Sequence, residues 1–348
     1  MNDVLNNAYL ALPVLTVLLT AVLALLLDLF LPSRLNRMVL ITANLGLLIA
    51  AALSFELIGQ ASQTVFNGLL ASDDLANTLN AFVPLVVMVC FVYSQAYLST
   101  HNMPQSDFYV LGLLSTVGMM VLIAAHNLLT VYLGLELLSL PLYAMTALSR
   151  AQERGPEAAM KYFVMGAVAS AMLLFGMSLL YGATGHLDLV HIAAQTGKNA
   201  LTSDALDTTR LFAFALVFIV AGLGFKLAAV PFHMWAPDVY DGAPTAATLF
   251  IGSAPKIAAI GMTLRLLTDA LPGLVADWQY LLLVMALLST GLGNLLAMVQ
   301  SNIKRLFAYS TVSHMGYALF GIAAATSNGY AAAVYYVIVY AFMASGAL

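Results

Sequence analysis

Gly222-Leu-Gly-Phe-Lys-Leu-Ala-Ala-Val-Pro231 is the stretch that decides how this chain folds. It lies inside an apolar segment, 211–241, and sets a lysine where every neighbour is apolar or glycine. About 20 predominantly apolar residues span a bilayer, so the segment is long enough to cross. It cannot cross as one regular helix. Pro231 and Pro237 lack an N–H, and each ring clashes with the carbonyl four residues back. Interrupted spanning helices are where transporters build binding sites, because the break frees backbone dipoles inside the membrane. The segment therefore reads as a membrane helix broken beside Lys226. The plainer alternative is a helix that ends at Val230 and runs into a loop.

The rest of the chain supports a membrane setting. Of 348 residues, 62% are hydrophobic and 8% charged, against about 45–50% and about 25% in soluble domains. So few charges cannot solvate a globule of this size, whereas lipid needs none. Eleven segments are long and apolar enough to span: 9–31, 38–58, 77–98, 107–125, 127–149, 160–182, 211–241, 244–267, 278–299, 303–325 and 330–348. The longest gap runs from His186 to Arg210, and nothing resembles a linker or an extramembrane domain. The expectation is one all-α domain over 1–348, a polytopic transmembrane helix bundle. The N-terminal run from Tyr9 to Leu31 follows no basic stretch and exceeds the roughly 7–15 residues of a signal-peptide core, so it reads as a retained helix. The last segment reaches Leu348 with no polar cap, which reads as a C-terminally truncated fragment.

Orientation follows from lysine and arginine in the short loops. With the N-terminus outside, Arg34, Arg37, Arg150, Arg154, Lys304 and Arg305 lie inside, against Lys198, Arg210 and Arg265 outside. The bias places the N-terminus outside.

Ionisable side chains within the apolar segments carry the functional reading. A charge at the centre of a bilayer costs about 2.5–3.5 kcal/mol on insertion scales, so such residues face protein or water and mark ion pathways. Glu136 is the only charge in its span, and its structural alternative is a partner for a lysine elsewhere. Lys161 opens the next span, where it either snorkels to the interface or pairs with Glu136 across the hairpin. Lys226 and Lys256 sit too deep to snorkel easily. Burial disfavours a lysine's charged form, so a deep lysine suits uptake and release of protons, with a nearby carboxylate setting the balance. His233, beyond the break, and His314, inside the tenth segment, titrate near neutrality and suit a relay; each is otherwise a hydrogen-bonded core residue. His101, His126, His186 and His191 fall in loops or at helix ends and read as having no special chemistry, and Asp238 and Asp241 as caps or loop residues.

Other function classes find no support. The net charge of −4 argues against a nucleic-acid surface. No glycine-rich phosphate motif joins a strand to a helix, and no metal-ligand spacing stands out. Gly291-Leu-Gly293 lies in a span and reads as helix packing. Cys90 is the only cysteine, too few for a disulfide or an iron–sulfur cluster, and reads as core.

Gly134-Leu-Glu-Leu-Leu-Ser-Leu-Pro-Leu-Tyr143 and Tyr309-Ser-Thr-Val-Ser-His-Met-Gly-Tyr317 resemble motifs of the antiporter-like, proton-translocating subunits of respiratory complex I. So does Phe225-Lys-Leu-Ala-Ala-Val-Pro-Phe-His-Met-Trp-Ala-Pro-Asp-Val-Tyr-Asp-Gly-Ala-Pro-Thr245, and its Pro-Asp-Val-Tyr-acidic-Gly-Ala-Pro core is similar to the subunit N branch. The resemblance covers the whole chain. It implies a fold with inverted five-helix repeats: N-terminal helices over 1–106, a first repeat over 107–267, and a second begun at 278–348 but incomplete. It matches Glu136 to the family's fifth-helix glutamate, and Lys161, Lys226 and Lys256 to its lysines on helices six, seven and eight. His233 matches the motif histidine. The twelfth-helix lysine is absent, and Pro255 stands where the family has a small polar residue. The resemblance implies proton translocation in a bacterial inner membrane, with a periplasmic N-terminus. It implies no cofactor in this chain, NADH, FMN, iron–sulfur clusters and quinone in partner subunits, and other complex I membrane subunits as partners. A multisubunit Na⁺/H⁺ antiporter or membrane-bound hydrogenase subunit is the alternative.

Overall fold

The computed structural model describes residues 2–30, 36–149, 154–198 and 206–348. Arg34 and Arg150, used above for orientation, lie outside the described residues. The chain opens with α1 (Asn2–Leu10), α2 (Leu12–Phe30) and α3 (Asn36–Glu56). A two-stranded antiparallel hairpin follows, β1 (Gln63–Val65) with β2 (Leu70–Ser72), turned through left-handed Phe66, Asn67 and Gly68. No alternation in the sequence marked this hairpin; it is held by docking its Leu70 against Ala125.

Next come α4 (Asp74–Thr100), α5 (Gln105–Ala124), α6 (Leu128–Thr146), α7 (Arg154–Thr184) and the short α8 (Leu189–Lys198). The seventh and eighth apolar segments are both divided. The seventh becomes α9 (Leu206–Leu227), a link and α10 (Trp235–Gly242). The eighth becomes α11 (Thr245–Gly252) and α12 (Ala254–Leu264), which ends in a π-helical turn at Arg265–Ala270. Three unbroken helices close the chain: α13 (Val275–Met298), α14 (Ile303–Ala323) and α15 (Ser327–Ala347).

Ten helices among the described residues are long and apolar enough to cross a membrane, and the protein is a multi-pass membrane protein. They account for ten of the eleven expected segments. The remaining one is α14, a helix of 21 residues that carries Lys304 and Arg305 in its first turn.

Local chemistry sets several helix starts. Asp73 caps α4 by accepting from Ala76 N, Asn127 caps α6, Asn302 caps α14 and Thr326 caps α15. Backbone approach sets the packing of α5 on α6. A Cβ on Gly118 would stand 2.2 Å from Leu138 N, and Ser115 Oγ donates to Leu138 O at 2.9 Å. Small residues that admit a neighbouring backbone are how helices associate where lipid removes the hydrophobic drive. Gly293 plays that part between α13 and α14, facing the Ser313 backbone, whereas Gly291 faces open space.

Burial is graded across the bundle. Every residue of α12 is buried, while α2, α3 and α13 expose Leu19, Leu29, Phe30, Leu45, Val284 and Leu287, an apolar exterior suited to lipid. The interrupted helices thus lie at the centre.

Candidate proton-transfer site

α9 stops one residue after Lys226. Ala228 takes a left-handed conformation (φ 60°), and Pro231 cannot continue the helix. A helix end leaves its last carbonyls without intrahelical donors, and here they are met from elsewhere. Ala229 N donates to Gly224 O at 2.8 Å. Phe225 O accepts from Ala228 N at 3.0 Å and from the Trp235 indole at 2.9 Å. Lys226 O accepts from the Lys256 ammonium at 3.1 Å. Beyond the turn, Val230 N donates to Ser289 Oγ at 2.9 Å.

The break in the eighth segment falls at Ser253, whose backbone is irregular (φ −115°, ψ −94°). Its hydroxyl turns back to Leu249 O at 2.8 Å and meets Cys90 Sγ at 3.2 Å. Cys90 is thus fully buried, as expected of a core residue, and rests on the break itself. Pro255 occupies the first turn of α12, where its missing N–H costs nothing. The interruption thus falls two residues before Pro255. It places Lys256 at the start of a helix, 1% exposed.

The two lysines line one cavity, Lys256 at the carbonyl end of α9 and Lys226 against α6. Lys226 Nζ donates to Ser139 Oγ on α6 at 2.8 Å, and Lys256 Nζ stands 5.1 Å from the centre of the Trp235 ring, a cation–π arrangement. Trp235 is held in place by stacking on Tyr162 at 4.8 Å. Lys226, Lys256, Trp235 and Tyr162 line one small cavity with leucines of α6, and it has room for roughly one water. Glu136, one turn before Ser139, exerts a Coulombic pull on Lys226, and Lys226 repels Lys256. Among the described residues Glu136 itself makes no ion pair within 4 Å. Two amines that line one nearly dry space can exchange a proton through one water.

Lys161 is not the partner of Glu136, and the expected pair across the hairpin does not form. α7 begins at Arg154, which puts Lys161 two turns into the helix with its side chain 45% exposed. It binds Glu157 at 2.9 Å and Asp238 at 3.1 Å, and Asp238 binds Arg305 at 3.0 Å. Nearby, Asp241 accepts from Asn302 at 2.7 Å, and the Lys304 ammonium donates to Ala243 O at 2.8 Å. Asp238 and Asp241, read from sequence as caps or loop residues, join α7, α10 and α14 through charge.

His233 lies in the link between α9 and α10, 8% exposed, with its Nδ1 buried and unpartnered among the described residues. His314 belongs to a different cluster. Its Nδ1 is 2.7 Å from Tyr336 OH on α15, its ring packs on Tyr340, and the Tyr340 hydroxyl donates to Thr311 at 2.8 Å. The structure therefore brings together Lys226, Lys256 and the field of Glu136, and leaves Lys161 and His314 apart from them. Ser139 and Trp235 were missed as site residues. Ser139 sits one turn from Glu136, and that spacing was the available signal.

A bundle whose two central helices break beside buried lysines is that of an antiporter-like membrane subunit. The comparisons agree. Residues 125–348 match the family model described as NADH:quinone oxidoreductase/Mrp antiporter, TM. NADH-quinone oxidoreductase subunit N of Thioalkalivibrio sulfidiphilus is 48% identical over 334 residues, covering 96% of this chain and 68% of that protein. The subunit N of Coxiella burnetii is 46% identical over 347 residues, covering 99% and 71%. Among solved structures, a chain of respiratory complex I from Thermus thermophilus with bound aureothin superposes with a TM-score of 0.78 at 32% identity, covering 96% of this chain and 68% of that one. The chain belongs to the NADH:quinone oxidoreductase/Mrp antiporter transmembrane family, as its motifs led one to expect.

Proposed function

We propose that this chain translocates protons as a subunit N-type component of the membrane arm of NADH:quinone oxidoreductase, in a bacterial inner membrane with its N-terminus in the periplasm. The observation that carries the reading is the lining of one cavity by Lys226 and Lys256 at the end of an interrupted helix, one on Ser139 and the other on Lys226 O. The carbonyl end of a helix favours positive charge, so it stabilises an ammonium there. Two ammonium ions here repel, so a proton gained by one lysine weakens the hold of the other. Glu136 biases which lysine keeps it. A change in the distance from Glu136 to Lys226, imposed by neighbouring subunits, drives the proton onward.

The chain performs no redox step in this reading. NADH, FMN, iron–sulfur clusters and quinone belong to partner subunits, and the energy arrives through contacts with them. The boundaries at 107–267 and 278–348 are proposed as inverted repeats. The identity to the N subunits supports this assembly over a multisubunit antiporter or hydrogenase.

The test is Lys226→Ala in the assembled complex. Proton pumping per NADH oxidised in membrane vesicles falls strongly, while native gels show an intact complex. Normal pumping by a fully assembled Lys226→Ala complex overturns the path.

A further inference from the structure

On the face opposite the Lys161–Asp238 network, three residues read as ordinary from sequence come together. α7 ends at Thr184, and Gly185 turns the chain through φ +71°. His186 N donates to Thr184 Oγ1 at 3.2 Å. Asp188 then accepts from the backbone N–H of His191 at 2.9 Å and from its ring Nδ1. The His186 and His191 rings lie nearly parallel, centres 4.8 Å apart. One ligand atom from each of His186, Asp188 and His191 lies within 4.8 Å of the others.

The backbone beneath them is pinned on both sides. Leu128 N donates to Leu187 O at 2.8 Å and Leu189 N to His126 O at 3.2 Å, so the stretch is bridged to the start of α6. Leu189 and Ile192 are fully buried under α8. The frame is thus fixed, while the three side chains retain accessible surface. Helix capping accounts for Asp188, and the ring hydrogen bond accounts for His191. Neither accounts for a second imidazole laid alongside the first, two groups that repel when both are protonated.

We propose that His186, Asp188 and His191 form a binding site for a divalent transition-metal ion of the zinc type. Two imidazoles and one carboxylate, with an open fourth position for water, are a donor set such an ion favours. Zinc bound at about 2.0–2.2 Å holds tetrahedral ligands about 3.4 Å apart, so small rotations of accessible side chains close the site. Bound through His191 Nδ1, the ion takes the place of the hydrogen bond to Asp188, and the neutral imidazole then carries its hydrogen on Nε2. Because α8 packs against the Arg265–Ala270 turn that ends the interrupted eighth segment, the bound metal also anchors the outer end of that segment. In the sequence the three residues stand as His-x-Asp-x-x-His.

The full chain, purified in detergent without a histidine tag, is titrated with Zn²⁺ against a chelating indicator. One saturable site per chain is expected, with Zn²⁺ raising the thermal unfolding midpoint. His186→Gln and His191→Gln each weaken binding by at least about tenfold and abolish the thermal shift, while His101→Gln, on the other face, changes neither. Metal-free unfolding midpoints confirm that the variants fold, and His191→Asn serves if His191→Gln does not. Absence of saturable binding up to about 1 mM free Zn²⁺, or binding by the variants as tight as by the unaltered chain, overturns the site.

Discussion

Ser139 holds the Lys226 ammonium through one hydroxyl, and no other side chain among the described residues donates to or accepts from that nitrogen. A hydrogen bond to a charged group contributes about 1.5–3 kcal/mol. Ser139→Ala removes it with almost no change in volume, and the methyl sits comfortably among the leucines of α6. The complex should assemble at normal levels while pumping per NADH oxidised drops several-fold, and Ser139→Thr should restore much of it. Unchanged pumping by the alanine variant would show that the lysine is held by Glu136 and water alone. Lys226, Lys256 and Glu136 were legible in the sequence because a charge in an apolar run has so few physical explanations. The partner of Lys161 was not. It depends on where α10 docks, and Asp238 lies 77 residues further along the chain. Ser139 was hidden for a different reason, since a serine in a membrane helix ordinarily satisfies itself on the preceding turn, and its Oγ indeed also donates to Leu135 O at 2.6 Å.

Each broken helix needs support at both ends, and the outer end of the eighth segment rests on one buried guanidinium. Arg265, its side chain 4% exposed, binds Asp73 through two nitrogens at 2.7 Å each, Asp269 at 2.9 Å and Ile123 O at 3.0 Å. The clamp ties the π turn to the start of α4 and the end of α5. Burial pushes the Asp73 carboxyl up, but the hydrogen bonds and charge of Arg265 outweigh it and hold the group below the usual carboxylate range. A depressed carboxyl stabilises the fold above its unfolded value, about 3.9, and that contribution disappears as pH falls through the folded value. Thermal stability in detergent should therefore drop on acidification below the ordinary carboxylate range. Asp73→Asn should cost about 1.5–3 kcal/mol, the worth of a hydrogen bond to a charged group, since Asp269 still pairs Arg265, and should flatten this part of the pH profile. A variant as stable as the unaltered chain would demote the clamp to an incidental contact. At this scale the sequence was informative about which segments cross and that the seventh breaks, because proline and glycine act locally. It gave 244–267 as one segment and did not mark the second break, at Ser253. The β1–β2 hairpin left no pattern because three-residue strands are too short to show one.

Across the whole molecule, charge divides between two faces. Arg154, Glu157, Lys161, Asp238, Asp241, Lys304 and Arg305 gather around one polar rim, where Arg154, Lys161 and Arg305 reach the carboxylates of α10. Asp73, Arg265, Asp269, His186, Asp188 and His191 gather on the other, with the β hairpin. The first face holds the four basic side chains Arg154, Lys161, Lys304 and Arg305, drawn from two helices far apart in sequence, whereas the second has Arg265 neutralised by two aspartates. Positive charge in short loops is retained on the cytoplasmic side during insertion. The bias supports the proposed orientation, in which the first face is cytoplasmic and the N-terminus and hairpin lie outside. Single cysteines at Ser62, beside the hairpin, and at Ser301, in the exposed loop before α14, report the two faces in a Cys90→Ala background. A membrane-impermeant maleimide added to intact spheroplasts should modify Ser62→Cys and spare Ser301→Cys, and permeabilised cells should show both modified. Ser301→Cys labelled from outside with Ser62→Cys protected would invert the proposed topology.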